Sequence, residues 1–563
     1  MMNRFAALSS LVLSLALLPA AASAQKDYDL LLRGGRIVDG SGNPWFVGDI
    51  AIHGDRIAAI GSINASSAIR TLDVKGLVVA PGFIDMLGQS EYTVLADPHV
   101  RSKITQGITT ELTGEGSSVA PMTPWIIGEV KPMTTDLKLQ IDWNDFRGYF
   151  HRLKSQGTAI NFAHMVGAAQ VRMAVLKGEN RAPTPAELET MRDLVATAMR
   201  EGAFGLSSSL IYPPGAFADT NELIEMAKVA ARHGGFYATH IRGESDDLLI
   251  SLAEAARIGE QAGIPVEIWH LKAAGRQNWG RMTEALAAIE TARKHGIDMT
   301  ADIYPYPAAA TDLSACLPPV AQDGGVGALL TRLSSPAGRA AIRAEMEHPS
   351  TRWENLLKHA NGPDGVLITG VRTPGNKKYQ GKRLSEVAAS RGSDPIETIF
   401  DLLIEEGGSV DAVYFLMSEE DVKRAMAAPF VSFDCDAPGV QPDGLLGEKS
   451  IHPRAYGSFP RILGKYVREE KILQLEEAVR KMTSLPAQRL GLSDRGLLRA
   501  GMHADITVFD LSRVIDRATF EEPHRFSDGI VHVLVNGVAV IEAGKVTGKL
   551  PGRALKGRGF REP

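Results

Sequence analysis

Phe236-Tyr-Ala-Thr-His240, then a stretch from Asp247 to Ala262, then Val266-Glu-Ile-Trp-His270, decide the fold of this chain. The two flanking runs are apolar, strand-like and end on histidine. The stretch between them carries apolar residues at i, i+3 and i+4 with polar residues in the gaps, which is the helical spacing. A strand, a helix and a second strand in that order form a right-handed crossover, and the two strands lie parallel. Thr220 to His233 repeats the helical pattern, and Met299-Thr-Ala-Asp-Ile-Tyr304 and Val431-Ser-Phe-Asp434 repeat the strand pattern. Such alternation over about 400 residues predicts a closed (β/α)8 barrel. An open doubly wound sheet would need a glycine-rich phosphate turn after an early strand, and Gly114-Glu115-Gly116-Ser117 lacks that spacing.

The two ends of the chain have a different texture. Asp29-Leu-Leu-Leu-Arg-Gly-Gly, Arg36-Ile-Val, Asp49-Ile-Ala-Ile and Arg56-Ile-Ala-Ala-Ile are short strands between turn signals, and Asp505-Ile-Thr-Val-Phe, His532-Val-Leu-Val-Asn-Gly and Ala539-Val-Ile resemble them. One small β-sandwich domain assembled from residues 25–79 and 491–563 is expected, with the barrel at 80–490 inserted in it. Residues 319–410 are irregular and Gly/Pro-rich in part, and are expected as an insertion at the barrel mouth.

Residues 1–24 read as an export signal: Arg4, an apolar core from Leu11 to Leu18, and Ala22-Ser23-Ala24 before Gln25. The expected mature protein is periplasmic, with no membrane anchor. A net charge of −5 gives no electrostatic case for nucleic acid or an anionic membrane as partner. Cys316 and Cys435 are too few for a disulfide framework and are read as buried free thiols.

In a parallel barrel the C-terminal strand ends form the reactive face, so His240 and His270 at successive ends converge. Neutral imidazole is a zinc ligand. Alternation places Asp434 and Asp436 on one face, where a carboxylate beside a metal site serves in proton transfer. Glu111 and Glu115 lie near another strand end, Glu115 between glycines that let the backbone approach a ligand. Solitary histidines and loop acids are usually structural, and it is their coincidence at strand ends that points to chemistry.

The chain resembles the D-aminoacylase (N-acyl-D-amino-acid deacylase) branch of the amidohydrolases. The resemblance runs over nearly the whole chain and rests on Gly205-Leu-Ser-Ser-Ser-Leu-Ile-Tyr212-Pro-Pro-Gly215, Tyr237-Ala-Thr-His240-Ile-Arg242-Gly-Glu244, His270-Leu-Lys272, Asp302-Ile-Tyr304-Pro-Tyr306, Tyr456-Gly-Ser-Phe-Pro and Gly501-Met-His-Ala-Asp505. It implies a metal-dependent hydrolase that releases a D-amino acid from its N-acyl amide. By that resemblance Glu115, His240 and His270 hold one divalent ion, zinc first, with Glu115 standing where the family has cysteine. Asp436 is the implied general base and acid, and Lys272, Tyr304 and Arg242 the implied substrate contacts. Asp434 is an alternative third ligand. Ala80-Pro-Gly-Phe-Ile-Asp-Met-Leu-Gly-Gln-Ser-Glu91 departs from the pattern, because Leu87 and Gln89 replace the His-x-His pair of the second, weaker metal position. A one-metal enzyme is therefore expected. A dipeptidase or cyclic-amide hydrolase on the same frame and a non-catalytic binding protein on a decayed one are the alternatives.

Overall fold

The computed structural model describes residues 26–562, so the export-signal reading falls outside the described residues. Eight strands form the barrel: β1 (Phe83–Asp85), β2 (Ile108–Thr113), β3 (Asn161–His164, continued by Val166–Gly167), β4 (Gly205–Ser209), β5 (Phe236–His240), β6 (Val266–Ile268), β7 (Met299–Ile303) and β8 (Val431–Phe433). Each pairs in parallel with the next. Closure between β8 and β1 is made by bonds just past the strands, with Asp436 N donating to Leu87 O at 2.8 Å and Gly88 bridging Ala437. Every residue of these strands is buried, the polar Thr and Ser positions of β2 and β4 included, so no strand shows an alternation of buried and exposed faces.

The helices follow from local signals. Thr220–Arg232 starts behind Asp219, whose side chain accepts from Glu222 N, and buries Leu223, Ile224, Met226, Ala227, Val229 and Ala230 on one side. Leu248–Ala262 stops at Gly263 in the left-handed conformation.

Outside the barrel, a nine-stranded sheet joins the two chain ends. Its central strand, Tyr28–Ile37, bends at Gly34, where φ is +72°. The first half pairs in parallel with Ala68–Asp73, and the second half with Val78 and Val79. Val78–Pro81 then pairs with Ile506–Phe509 from the far end of the chain. Leu30, Leu32, Ile50, Val79, Ile506, Val508 and Leu534 share one apolar core. This sheet contacts the barrel where Gly82 N donates to Asp505 O and Thr507 Oγ1 to Gly107 O, both just before barrel strands. It therefore covers the N-terminal ends of β1 and β2 and leaves the C-terminal face open.

Two boundaries differ from expectation. The inserted unit between β7 and β8 is wider than 319–410, because Ala309–Asp312 and Asp411–Tyr414 form an antiparallel sheet with Val366–Gly370. These strands of four or five residues carry too little alternation to be read. At the C-terminus the sheet ends at Val546, and the tail runs back along the barrel, where Pro551 bridges Thr158 and Ala554 bridges Phe162. Cys316 and Cys435 are both buried and free. Among the described residues no helix is long and apolar enough to cross a membrane.

Candidate metal centre and active site

His240 ends β5, His270 lies two residues past β6, Glu115 two past β2 and Asp436 three past β8, so all four stand on the C-terminal face. Gly116 has φ +66°, and a Cβ there would lie 2.5 Å from Ser209 Cβ, so the turn after β2 presses against the end of β4. This bend delivers Glu115. His270 and Asp436 also take left-handed backbone angles, φ +38° and +43°, which side-chain-bearing residues adopt at a cost and which cluster at working sites.

Glu115 Oε1 lies 2.9 Å from His240 Nδ1 and 3.3 Å from His270 Nε2, and one ligand atom from each of the three residues fits within 4.8 Å. Ligand bonds of about 2.0 to 2.1 Å in tetrahedral array would separate oxygen and nitrogen by about 3.3 Å. The spacing thus suits one ion. The other ring nitrogen of His270 lies 3.0 Å from Glu244 Oε1 and 2.8 Å from Lys272 Nζ, and Lys272 donates to Glu244 at 2.5 Å. That carboxylate orients the imidazole from behind. Burial opposes charge on Glu115, yet hydrogen bonds from His240 and His270 hold it well below the usual carboxylate range. Burial likewise opposes charge on Glu244, and the neighbouring histidines and Lys272 keep it low. Against burial and Lys272, the Glu244 and Glu115 carboxylates push His270 up to about 10. A buried pocket with this excess of carboxylate favours a cation.

Asp436 stands beside the cluster. Its Oδ2 pairs with Arg454 Nη1 at 2.8 Å, and its Oδ1 accepts from Gln89 Nε2 at 3.3 Å. Gln89 Nε2 also donates to Glu115 Oε2 at 2.7 Å. Arg454 is only 4 % exposed and lies over the Tyr304 ring at 4.5 Å; its buried Nε and Nη1 make no hydrogen bond, so Nη1 meets Asp436 as an ion pair alone. Sequence reading missed Arg454. Its signal is an arginine in the first turn of helix Arg454–Arg461, where the helix dipole disfavours positive charge.

Of the residues expected to touch substrate, Tyr304 has two cations near its ring, Arg454 Cζ at 4.5 Å and Lys272 Nζ at 5.8 Å. Lys272 itself is engaged mainly with Glu244 and His270. Arg242 is a correction. Its guanidinium makes two 2.9 Å bonds to Glu254 and donates to Ala216 O and Ala218 O, so it braces the loop after β4. Its position just after a strand end could not disclose a partner one helix further on. Asp434 is a second correction. It points into the sealed interior, where, among the described residues, its only close polar neighbour is the Asp302 carboxyl. Burial and the nearby Asp436 push Asp434 up to about 7, and burial and Asp434 raise Asp302 well above the usual carboxylate range. Asp302 accepts from His270 N, so the pair supports the His270 turn. Glu111 accepts from Ser90 N and Ser90 Oγ and lies 3.4 Å from buried Lys103, which fixes the loop after β1. Leu87 is fully buried in an apolar cluster with Ile84, Met86, Leu112 and Trp269.

A model of the amidohydrolase family matches residues 70–541. The chain belongs to that family. Among amidohydrolases it is 38% identical to the D-aminoacylase of Alcaligenes xylosoxydans xylosoxydans over 95% of this chain and 98% of that one. The N-acyl-D-glutamate deacylase of the same organism is 36% identical over 94% and 97%. Among solved amidohydrolases, an N-acyl-D-glutamate deacylase from Bordetella bronchiseptica, complexed with zinc and a phosphonate mimic of the tetrahedral intermediate, superposes with a TM-score of 0.79 at 35% identity, covering 94% of this chain and all of that one. A D-aminoacylase studied for one-metal activation and second-metal attenuation of its binuclear centre gives a TM-score of 0.75, also at 35% identity and with the same coverage.

Proposed function

We propose that this amidohydrolase cleaves the amide bond of N-acyl-D-amino acids, with Glu115, His240 and His270 holding one divalent ion, zinc. The observation that carries the reading is the convergence of one carboxylate and two imidazoles at ligand spacing with Asp436 beside them. The relatives that cover the whole chain are deacylases of that class. The bound ion supplies Lewis acidity to the amide carbonyl and to the attacking water.

The remaining work falls to the chain's own groups. Asp436 takes a proton from the water and returns it to the leaving nitrogen, which converts a poor leaving group into a free amine. Arg454 holds Asp436 Oδ2, which fixes the direction of that carboxylate, and its unpartnered Nε is a donor for the substrate carboxylate. The Tyr304 ring, 4.5 Å from that guanidinium, attracts and positions the cation. Lys272 adds a positive charge on the same side while keeping Glu244 against His270. An intact ligand set with an oriented carboxylate beside it speaks against a decayed, non-catalytic frame.

The protein as purified is expected to carry about one metal per chain and to release D-amino acids from N-acetyl-D-amino acids in a chelator-sensitive way, with N-acetyl-L-amino acids left intact. Neither metal nor turnover on that panel would sink the reading. We further infer export to the periplasm from the residues preceding Gln25, and an N-terminal sequence of the exported protein starting near that residue is the check.

A further inference from the structure

The geometry points to Gln89 as a positioning residue whose amide occupies the place of a second cation, making the centre closed to a second metal. The inference rests on the one-metal reading above and says how this chain enforces it.

Glu115 and Asp436 send one carboxylate oxygen each toward a single point, and the atom found there is Gln89 Nε2, at 2.7 and 3.3 Å. Two carboxylates converging in a buried pocket repel one another unless something positive or proton-bearing stands between them. An amide NH2 has two N–H bonds, one for each oxygen, and carries no charge. The remaining oxygens are also spoken for: Glu115 Oε1 faces the two histidines, and Asp436 Oδ2 pairs with Arg454. A second divalent ion would have to displace that amide and would find no nitrogen ligand in exchange. Leu87, the residue that shares the strand end with Gln89, is buried among Ile84, Met86, Leu112 and Trp269 and offers only methyl groups. The donor set does not fit a second ion.

The arrangement also has a mechanical consequence. Gln89 stands on the segment after β1, and Ser90 next to it is tied to Glu111 through its N–H and its hydroxyl at 3.0 and 2.9 Å. The amide is therefore mounted on a fixed support, and it links the carboxylate that binds metal to the one that moves the proton. Asp436, held by Gln89 on one oxygen and Arg454 on the other, keeps its orientation with no ion bridging it.

The test uses the full-length mature protein, zinc chloride added in steps up to large excess, metal counted per chain after desalting, and steady-state turnover on an N-acetyl-D-amino acid. Wild type is expected to stay at one ion per chain with undiminished kcat across the titration. Gln89→Glu exchanges a donating NH2 for an accepting oxygen of the same shape, so three carboxylate oxygens then meet, and uptake of a second ion is expected in excess zinc. Gln89→Ala is expected to keep one ion and its KM while kcat falls about tenfold or more, a split that a merely structural role would not give. Wild type binding two ions, losing activity in excess zinc, or tolerating Gln89→Ala with kcat unchanged would overturn the inference and leave the hydrolase reading standing. A wild-type protein that retains no metal would overturn both.

Discussion

Asp436 and Arg454 divide the labour at the smallest scale. Asp436→Asn keeps the shape and the hydrogen bond from Gln89 but removes the proton acceptor, so kcat is expected to fall by about a thousandfold, within the range for loss of a general base. Metal content measured on the same sample should be unchanged. Arg454→Met keeps bulk over Tyr304 and removes the cation. KM for N-acetyl-D-amino acids is expected to rise by roughly tenfold to a hundredfold, the usual worth of a charged hydrogen bond to substrate. Because Arg454 also holds Asp436 Oδ2, kcat of Arg454→Met is expected to fall as well, so a rise in KM marks the loss of Arg454 while Asp436→Asn lowers kcat alone. At this scale the sequence placed His240, His270, Glu115 and Asp436 near strand ends, where a barrel exposes chemistry, and the family resemblance singled out Glu115 and Asp436 among the acids there. Arg454 and Gln89 were not legible as partners of Asp436. One lies at the start of a helix and the other on the loop after β1, and only closure of β8 against β1 brings them together.

Among the elements, the inserted unit braces the loop behind the metal centre, and Ala310 O within it accepts from Arg454. Glu354, which precedes the short helix Leu356–His359, accepts from Glu244 N at 3.2 Å and from Ser245 Oγ at 3.0 Å, and His359 Nε2 lies 2.9 Å from the same hydroxyl. Glu244 in turn orients His270, so the insertion fixes the loop that fixes the ligand. Burial, with Glu244 close by, pushes the Glu354 carboxyl up to about 8, and burial holds His359 down to about 4. Glu354→Ala frees that loop, and metal affinity by competition with a chromogenic chelator is expected to weaken about tenfold, as for other outlying partners of metal-binding histidines. Undiminished affinity would show that the loop holds itself. The barrel helices and strands were legible because their periods persist over enough residues to count. The three strands of the insertion were not, since each has four or five residues and they find one another across the helices between. Arg242 shows the complementary error, a residue correctly placed past a strand end whose partner Glu254 was set by the packing of the next helix.

For the whole molecule, a metal held by Glu115, His240 and His270 would also be a stabiliser. An ion that binds only the folded chain at a thousand times its dissociation constant contributes about 4 kcal/mol. Exhaustive chelation is therefore expected to lower the thermal midpoint by several degrees, and one equivalent of zinc should restore it. The same measurement on Glu115→Ala should show no response to chelator. A midpoint in wild type indifferent to chelation would mean that the three ligands are held in place by Glu244, Asp302 and Gln89 alone.

The β domain sets the order in which this molecule can be completed. Val79 has Ile37 on one side and Val508 on the other, and the last residues lie against Thr158 and Phe162 at the foot of β3. A chain emerging from the ribosome makes the first half of that sheet early and then holds an unpaired inner edge through the synthesis of the entire barrel. A stop codon a few dozen residues from the end would not trim a dispensable tail. It would leave an open sheet edge and an uncovered barrel floor, and the truncated product belongs with aggregating nascent chains.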